Sequence, residues 1–593
     1  MCGIVGIIGE ADAKEALLRG LEKLEYRGYD SAGIALVNQD GVHVFKDKGR
    51  IANLRSVVDQ KIEGGVGIGH TRWATHGKPT QVNAHPHQSS SKRFTIIHNG
   101  IIENEKALRQ TYLADYPFIS ETDTEVIVAL LEKFTLERDV IYAIQQLICV
   151  LHGSYALGIM DSEQPDVLYA VKNKSPLLIG VGDDFQMIGS DAMAMLHRTN
   201  RLVEIHDQEY ACLQKEGYTI FNADGEPLHR ASFLAEIDAA DIEKGTYAHY
   251  MLKEMDEQPA IVRKLVTAYF DDGHINLDEE IVNRIKQAKR VYIVAAGTSM
   301  HAGLVGKQLF ENLAHLPTEV HIASEFIYNT PLVVEGALFL FISQSGETAD
   351  SRAALVKMKA LGHPCLTLTN VAGSTLSRES DGTLLIHAGP EIAVASTKAY
   401  VASMAVLAIV AVEVSGKETI DLASEFALVA NTMDEIMDEK TTYEALAKQY
   451  LTKQNAFYIG RHVDYYTALE AALKLKEISY IQSEGFAAGE LKHGTIALIE
   501  EGTPVIGIIS QKEIGLNTRA NLKEVASRGA NTLTISFESL SEENDQIILN
   551  DVNPILAPLV TTLPTQLLAY YAALYRGLDI DKPRNLAKSV TVE

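Results

Sequence analysis

From about residue 285 the chain falls into a rhythm of strand, loop and helix, and this constrains its fold more than any other feature. Arg290-Val-Tyr-Ile-Val-Ala-Ala-Gly reads as a buried strand ending in glycine. Ala337-Leu-Phe-Leu-Phe-Ile reads as a second and Pro364-Cys-Leu-Thr-Leu-Thr as a third, with a helix from about Ala349 between them. Near-continuous apolar strands alternating with helices bury both faces of a sheet, so they predict a doubly wound parallel sheet. The unit then recurs. Ser343-Gln344 follows the second strand and Ser510-Gln511 follows Val505-Ile-Gly-Ile-Ile; Gly362 and Gly529 close the next helices, and both pairs lie 167 positions apart. That period is too long for a solenoid and predicts duplication of one α/β domain.

The chain has 593 residues, more than the roughly 250–300 that one core supports. Residues 1–240 read differently from the repeat, as mixed α and β. Short apolar runs such as Gly33-Ile-Ala-Leu-Val, Val42-His-Val-Phe and Phe94-Thr-Ile-Ile-His alternate with turn residues, and helical patterns cover 13–24, 124–134 and 140–151. Asp123, before Thr124-Glu125, is expected to cap the second helix. The resulting division is a first domain at 1–240, a linker and helical connection at 241–284, repeat copies at 285–425 and 450–580, and a tail at 581–593.

Charge and cysteine usage narrow the class. Lys plus Arg number 53 against 78 Asp plus Glu, a net charge of −25. Such a surface repels phosphate backbones and anionic lipid, arguing against a nucleic-acid or membrane-surface protein. Cys2, Cys149, Cys212 and Cys365 are scattered with no C-x-x-C pair, which points to a reducing compartment; all but Cys2 read as inert core residues. The N-terminal Met-Cys-Gly-Ile-Val-Gly lacks the basic n-region of a signal peptide. The apolar stretch 399–412 is shorter than the ~20 residues a spanning helix needs, so it reads as a core helix. A cytoplasmic protein is the expectation.

Cys2 is the first candidate for chemistry. Loss of Met1 would leave its thiol beside a free α-amine with a pKa of about 7.7–8.0, a base suited to activating it. The alternative is a small buried residue opening a strand. Arg72, in Thr71-Arg72-Trp73-Ala74-Thr75-His76-Gly77, offers a fork for a carboxylate. Asn99 beside Gly100 can form an oxyanion hole, and Asp123 can hold an ammonium. His70, His76, His85, His87 and His98 raise a metal site as the competing idea, but no H-x-x-x-H spacing is present.

These motifs, with Cys2-Gly-Ile-Val-Gly, Tyr26-Arg27-Gly28-Tyr29-Asp30-Ser31, Asn83-Ala-His85-Pro86 and His98-Asn99-Gly100, resemble a class II glutamine amidotransferase domain. The resemblance implies an N-terminal-nucleophile αββα sandwich. Cys2 would attack the glutamine amide, and Asn99 and Gly100 would stabilise the oxyanion. Arg72 and Asp123 would hold glutamine, with Arg27 and His85 near the pocket and Trp73 as a gate.

The nitrogen acceptor must come from the repeat. An S-G-G-x-D-S ATP loop, an acidic phosphoribosyl pyrophosphate motif and a Walker lysine loop are all missing from the sequence. Ser343-Gln344-Ser345-Gly346-Glu347-Thr348 instead joins a buried strand to a helix, where backbone N–H groups and hydroxyls can cradle a phosphate. The alternative is a polar loop with a serine cap. Gly297-Thr298-Ser299 closes the preceding strand the same way. The second copy has Ser510-Gln511-Lys512-Glu513 instead, so one phosphate site per chain is expected. Glu470, Lys474 and Glu477 share one face of a predicted helix over 467–480, which alone could be a solvated salt-bridge face. His493 sits in a glycine-bounded turn, and the irregular tail is expected to be packed.

Over essentially the whole chain these segments resemble the glutamine–fructose-6-phosphate aminotransferase (isomerizing) family, with its tandem sugar-isomerase domains. Ala296 and Thr495 depart from residues common at those positions, cysteine and proline. The resemblance implies that ammonia from glutamine is channelled to fructose 6-phosphate, giving glucosamine 6-phosphate and glutamate, the first step of amino-sugar (UDP-GlcNAc) biosynthesis. Ser299, Ser343, Gln344, Ser345, Thr348, Ser396 and Lys474 would bind the sugar phosphate. Glu477 would be the base, with Glu470 in support. His493 from the neighbouring subunit of a homodimer would open the sugar ring, and Lys588 would engage C2. No metal or organic cofactor is implied. The competing class is a regulator that binds phosphosugars without catalysis.

Overall fold

The computed structural model describes residues 2–9, 13–73, 77–235, 243–416 and 420–590. They form two compact units, Met1–Glu243 with Ala587–Glu593, and Lys244–Leu586.

In the first unit two antiparallel sheets lie face to face. One has eight strands, with Gly3–Ile8 paired between Gln186–Gly189 and Val66–Arg72. The other has seven, with Phe94–Ile102 beside Gly153–Asp161. Strand alternation sends successive side chains to opposite faces. Ile4, Ile68 and Ile188 of the first sheet therefore meet Ile97, Ala156 and Leu168 of the second in one core. Phe94, Ile96 and Leu157, of the other parity, pack with the helices Thr124–Thr135 and Val140–Val150. Leu17 and Leu21 of the helix Ala13–Leu24 lie against Gly67 and Gly69 on the far side of the first sheet. The layering is helix, sheet, sheet, helix, as expected.

The second unit contains the duplication. One parallel sheet runs in the order Thr318–Ile322, Arg290–Ala295, Ala337–Ser343, Cys365–Thr369, Thr383–Leu385. The other repeats that order with Gln482–Ala487, Asn455–Gly460, Pro504–Ile509, Asn531–Phe537 and Ile547–Leu549. Gly362 and Gly529 follow the matching helices Ala349–Ala360 and Gly515–Ala526 with φ of 82° and 96°. In each sheet the chain reverses its winding direction between two neighbouring strands, Arg290–Ala295 and Ala337–Ser343 in one and Asn455–Gly460 and Pro504–Ile509 in the other, which opens a crevice at their carboxyl ends.

The stretch expected to be a linker and helical connection is helical and built into the core. Met251, Met255, Val262 and Leu265, from the helices Tyr250–Asp256 and Gln258–Tyr269, join the cluster that spans both copies. The helix Lys398–Ser415 is long and apolar enough to cross a membrane, yet 89% of it is buried inside the protein. One cysteine expectation fails: Cys149 is exposed. The helix Val140–Val150 buries Val140, Ala143, Ile144, Leu147 and Ile148, and Cys149 falls off that face.

Candidate active sites

In the first unit Cys2 opens the central strand of its sheet. Pairing of Gly3 with Thr71 brings Trp73 alongside, and the Trp73 N–H donates to the Cys2 Sγ at 3.2 Å. Burial pushes the thiol above its ordinary range, partly opposed by that N–H and by Arg72. The Asn99 Nδ2 donates to the Cys2 carbonyl at 2.9 Å. Gly100 beside it has φ 136°, and a Cβ there would lie 1.9 Å from the Ser154 carbonyl oxygen, so only glycine lets the strand bend here.

Arg72 ends its strand almost buried, with its guanidinium on the carbonyls of Lys78 and Gly77 at 3.3 Å each. Burial lowers its pKa, countered by Cys2, Asp30, Asp123 and Glu121 around it. Asp123 stands at the N-cap position of its helix but does not cap it. Its Oδ2 instead accepts the Ile102 N–H at 2.9 Å, because its backbone is already helical and aims the carboxylate at the neighbouring strand. Arg27 is buried and tied to Asp191 and to the Tyr26 hydroxyl. Trp73 is half-buried, edge-on to Tyr29.

The histidines form a packed group. His70 and His85 stack at 4.0 Å, and His87 meets His85 edge-on. Burial drives His70 down to about 3 and pushes His85 and His87 well below the usual histidine range, so all three are neutral at pH 7. His76 lies outside the described residues. Among those described, no cluster of three potential ligands could hold a metal ion.

In the second unit the first copy's crevice carries both hydroxyl-bearing segments, although Gly297-Thr298-Ser299 is the first turn of a helix and not a loop. The Ser343 and Thr348 hydroxyls lie 2.8 Å apart and the Gly346 N–H reaches the Ser343 Oγ at 3.1 Å, which curls the loop into a cup at the start of the helix Ala349–Ala360. Gln344 and Ser345 are half-buried in that loop, Ser299 in the first turn of the helix Gly297–Leu313, and Ser396 just before Lys398–Ser415.

The helix Val463–Ser479 supplies the charged groups. Glu470 and Lys474 are both about 1% exposed, so this face is not solvated. Lys474 Nζ lies 2.6 Å from Glu477, 3.3 Å from Glu470 and 2.9 Å from the Thr298 hydroxyl. Burial works against its charge, but the two carboxylates outweigh burial and hold the ammonium above the ordinary lysine range. His301, from the helix Gly297–Leu313, completes the group with Nδ1 2.7 Å from Glu470. Sequence reasoning passed over His301, since no motif marks it; its signal was its place one turn after Thr298.

The second copy's crevice is filled from within. Asp464 is the second residue of its helix, as Thr298 is in the first copy. Its carboxyl accepts the Ser510 N–H at 3.0 Å and the Ser510 hydroxyl. Gln511 Nε2 donates to the same hydroxyl at 2.9 Å.

His493 is exposed on the 3₁₀ turn Glu490–His493. The tail is irregular but packed. Asp581 accepts the N–H groups of Tyr250 and Met251 at 2.9 Å, and the Arg584 guanidinium lies 4.2 Å over the Tyr480 ring. Lys588 is half-buried and belongs to the first unit.

The fold and the sites define a glutamine amidotransferase domain joined to two SIS domains. The family model described as "Glutamine amidotransferase domain" matches residues 70–197, and "SIS domain" matches 284–413 and 450–576. Full-length relatives named glutamine–fructose-6-phosphate aminotransferase [isomerizing] are 59% identical in Bacillus licheniformis, 60% in Geobacillus kaustophilus and 58% in Bacillus subtilis, each match covering 100% of both chains. A solved C-terminal domain of glucosamine-fructose-6-phosphate aminotransferase from Francisella tularensis is 36% identical, with a TM-score of 0.54, over 57% of this chain and 100% of that one. The chain belongs to the isomerizing glutamine–fructose-6-phosphate aminotransferase family.

Proposed function

We propose that this chain, whose relatives are named for isomerizing amino transfer from glutamine to fructose 6-phosphate, converts those two substrates to glutamate and glucosamine 6-phosphate and so opens amino-sugar biosynthesis. The Cys2 thiol is raised by burial, so it needs a local base. The α-amine freed by removal of Met1 supplies one. The thiolate adds to the amide carbon of glutamine, whose ammonium and carboxylate Asp123 and Arg72 hold. The oxyanion forms against Asn99 Nδ2 and the Gly100 N–H. Ammonia leaves, and water hydrolyses the thioester to glutamate. His85 and Arg27 shape the pocket, and Trp73 gates the passage of ammonia. Shielded passage keeps ammonia from being protonated in bulk water.

Fructose 6-phosphate sits with its phosphate on Ser343, Gln344, Ser345 and Thr348, with Ser299 and Ser396 alongside. Lys588 engages the C2 carbonyl as a Schiff base, ammonia replaces it, and water is the balancing product. Glu477 then takes a proton from C1 and returns it to C2, which converts the ketose imine to the amino-aldose. Lys474, held by Glu470, steadies Glu477. His493 acts on the sugar ring of a neighbouring subunit, which makes the protein a homodimer; its exposure supports that assignment. A cytoplasmic place fits this chemistry.

The observation that carries the reading is the Thr298–Lys474 hydrogen bond, which ties the acid–base helix to the crevice with the phosphate cup. Supplying both substrates and quantifying products tests it: equimolar glutamate and glucosamine 6-phosphate support it, and binding of fructose 6-phosphate without amination supports a regulator instead.

A further inference from the structure

His70 has no part in the chemistry above, yet it touches the strand that carries Asn99. Ile68 faces the core between the sheets, and so does Ile97. Two residues on, at the same parity, come His70 and Asn99. They meet across the sheets: the His70 Nε2 lies 2.9 Å from the His98 carbonyl oxygen and 3.0 Å from the Asn99 Oδ1.

We propose that His70 is a positioning residue for glutamine hydrolysis, whose Nε2–H sets which end of the Asn99 amide faces the reacting carbonyl. The logic follows from what each atom can do. A backbone carbonyl only accepts, so His70 Nε2 carries the proton. The Asn99 atom beside that N–H must then be the acceptor oxygen. The Nδ2 therefore points the other way, where its partner is the Cys2 carbonyl at 2.9 Å, again an acceptor only. Both ends of the amide agree. The His70 Nδ1 makes no hydrogen bond among the described residues. The imidazole is held flat by stacking on His85, whose Nδ1 accepts the His98 N–H at 3.2 Å. The two rings thus clamp the carbonyl and N–H of the residue before the oxyanion pair. Without the His70 donor the amide can turn over and present an oxygen to the developing oxyanion, which repels it. A lost oxyanion donor costs about 10²–10³ in kcat.

This inference rests on the reading of Asn99 as an oxyanion donor, and the test separates the two. Steady-state glutamine hydrolysis is measured on full-length His70→Phe, His70→Gln, Asn99→Ala and the His70→Phe/Asn99→Ala double variant. Phenylalanine keeps the stack but removes the donor; glutamine can place its Nε2 where the imidazole N–H was. His70→Phe is expected to lower kcat at least about tenfold with KM for glutamine little changed, as donor loss in the transition state alone requires. His70→Gln should stay within about threefold of wild type. The double variant should be no slower than Asn99→Ala, since the two act as one unit. Full kcat in His70→Phe, or effects that multiply in the double variant, would overturn the role of His70. Full kcat in Asn99→Ala would overturn the oxyanion reading instead. Should His70→Phe melt below assay temperature, His70→Leu carries the same prediction.

Discussion

Thr298 and Glu470, 172 positions apart in the chain, share a hydrogen bond of 3.1 Å. One opens the first helix of the first SIS copy and the other lies on the matching helix of the second. Duplication therefore yields one composite site rather than two equal ones, with hydroxyls from one copy and ionisable groups from the other.

Lys474 is the hub of that site, so its removal is expected to cost stability as well as turnover. Lys474→Met removes the lysine cation from between Glu470 and Glu477 and leaves the buried Glu470, among the described residues, only His301 and Thr298 as partners. Breaking a buried ion pair costs about 3–5 kcal/mol. Thermal unfolding should show a clear drop in Tm and aminosugar formation should vanish; an unchanged Tm would mean the carboxylates find other partners.

Glu477 is the more exposed carboxylate, at 21% of its side chain. Glu477→Gln is therefore expected to fold normally and to hydrolyse glutamine. It should form glucosamine 6-phosphate more slowly by about 10²–10⁴, the usual share of a general base. Equal loss of both activities would place its role elsewhere.

Asp464 carries a pH signature. Burial pushes its carboxyl up to about 7, against about 3.9 in an unfolded chain. Between those values the folded chain holds a proton that the unfolded chain has lost. The stabilisation is complete below about pH 4 and is lost as pH rises towards 7. Asp464→Asn is neutral throughout, so its Tm relative to wild type should rise between pH 5 and 7.5. A constant offset would show that Asp464 does not titrate there.

Much of this was legible in the sequence. The apolar strands and the 167-residue offset specified the duplicated parallel sheets, because continuous burial leaves few alternatives. The hydroxyl loop and the Glu470–Lys474–Glu477 face were visible from local spacing. What escaped were long-range partners. His70 looked like one of five potential metal ligands, and only strand parity, counted from Ile68 and Ile97, aims it at Asn99. Asp123 carried a cap signal that a neighbouring strand N–H outcompetes. Cys149 read as core because its helix is apolar on nearly every side.

Cys2 is the proposed starting point of the chemistry. Cys2→Ala is expected to abolish glutamine hydrolysis, and intact-mass measurement of the active protein should show a chain lacking Met1. Hydrolysis by a chain that retains Met1 would rule out the α-amine as base.

The most direct measurement of the whole account follows one nitrogen atom. The protein is incubated with amide-¹⁵N glutamine, fructose 6-phosphate and excess unlabelled ammonium, and the aminosugar is read by mass spectrometry. Shielded transfer predicts glucosamine 6-phosphate carrying ¹⁵N almost entirely. Aminosugar diluted to the isotopic composition of the bulk ammonium, or glutamate with no aminosugar, would contradict it.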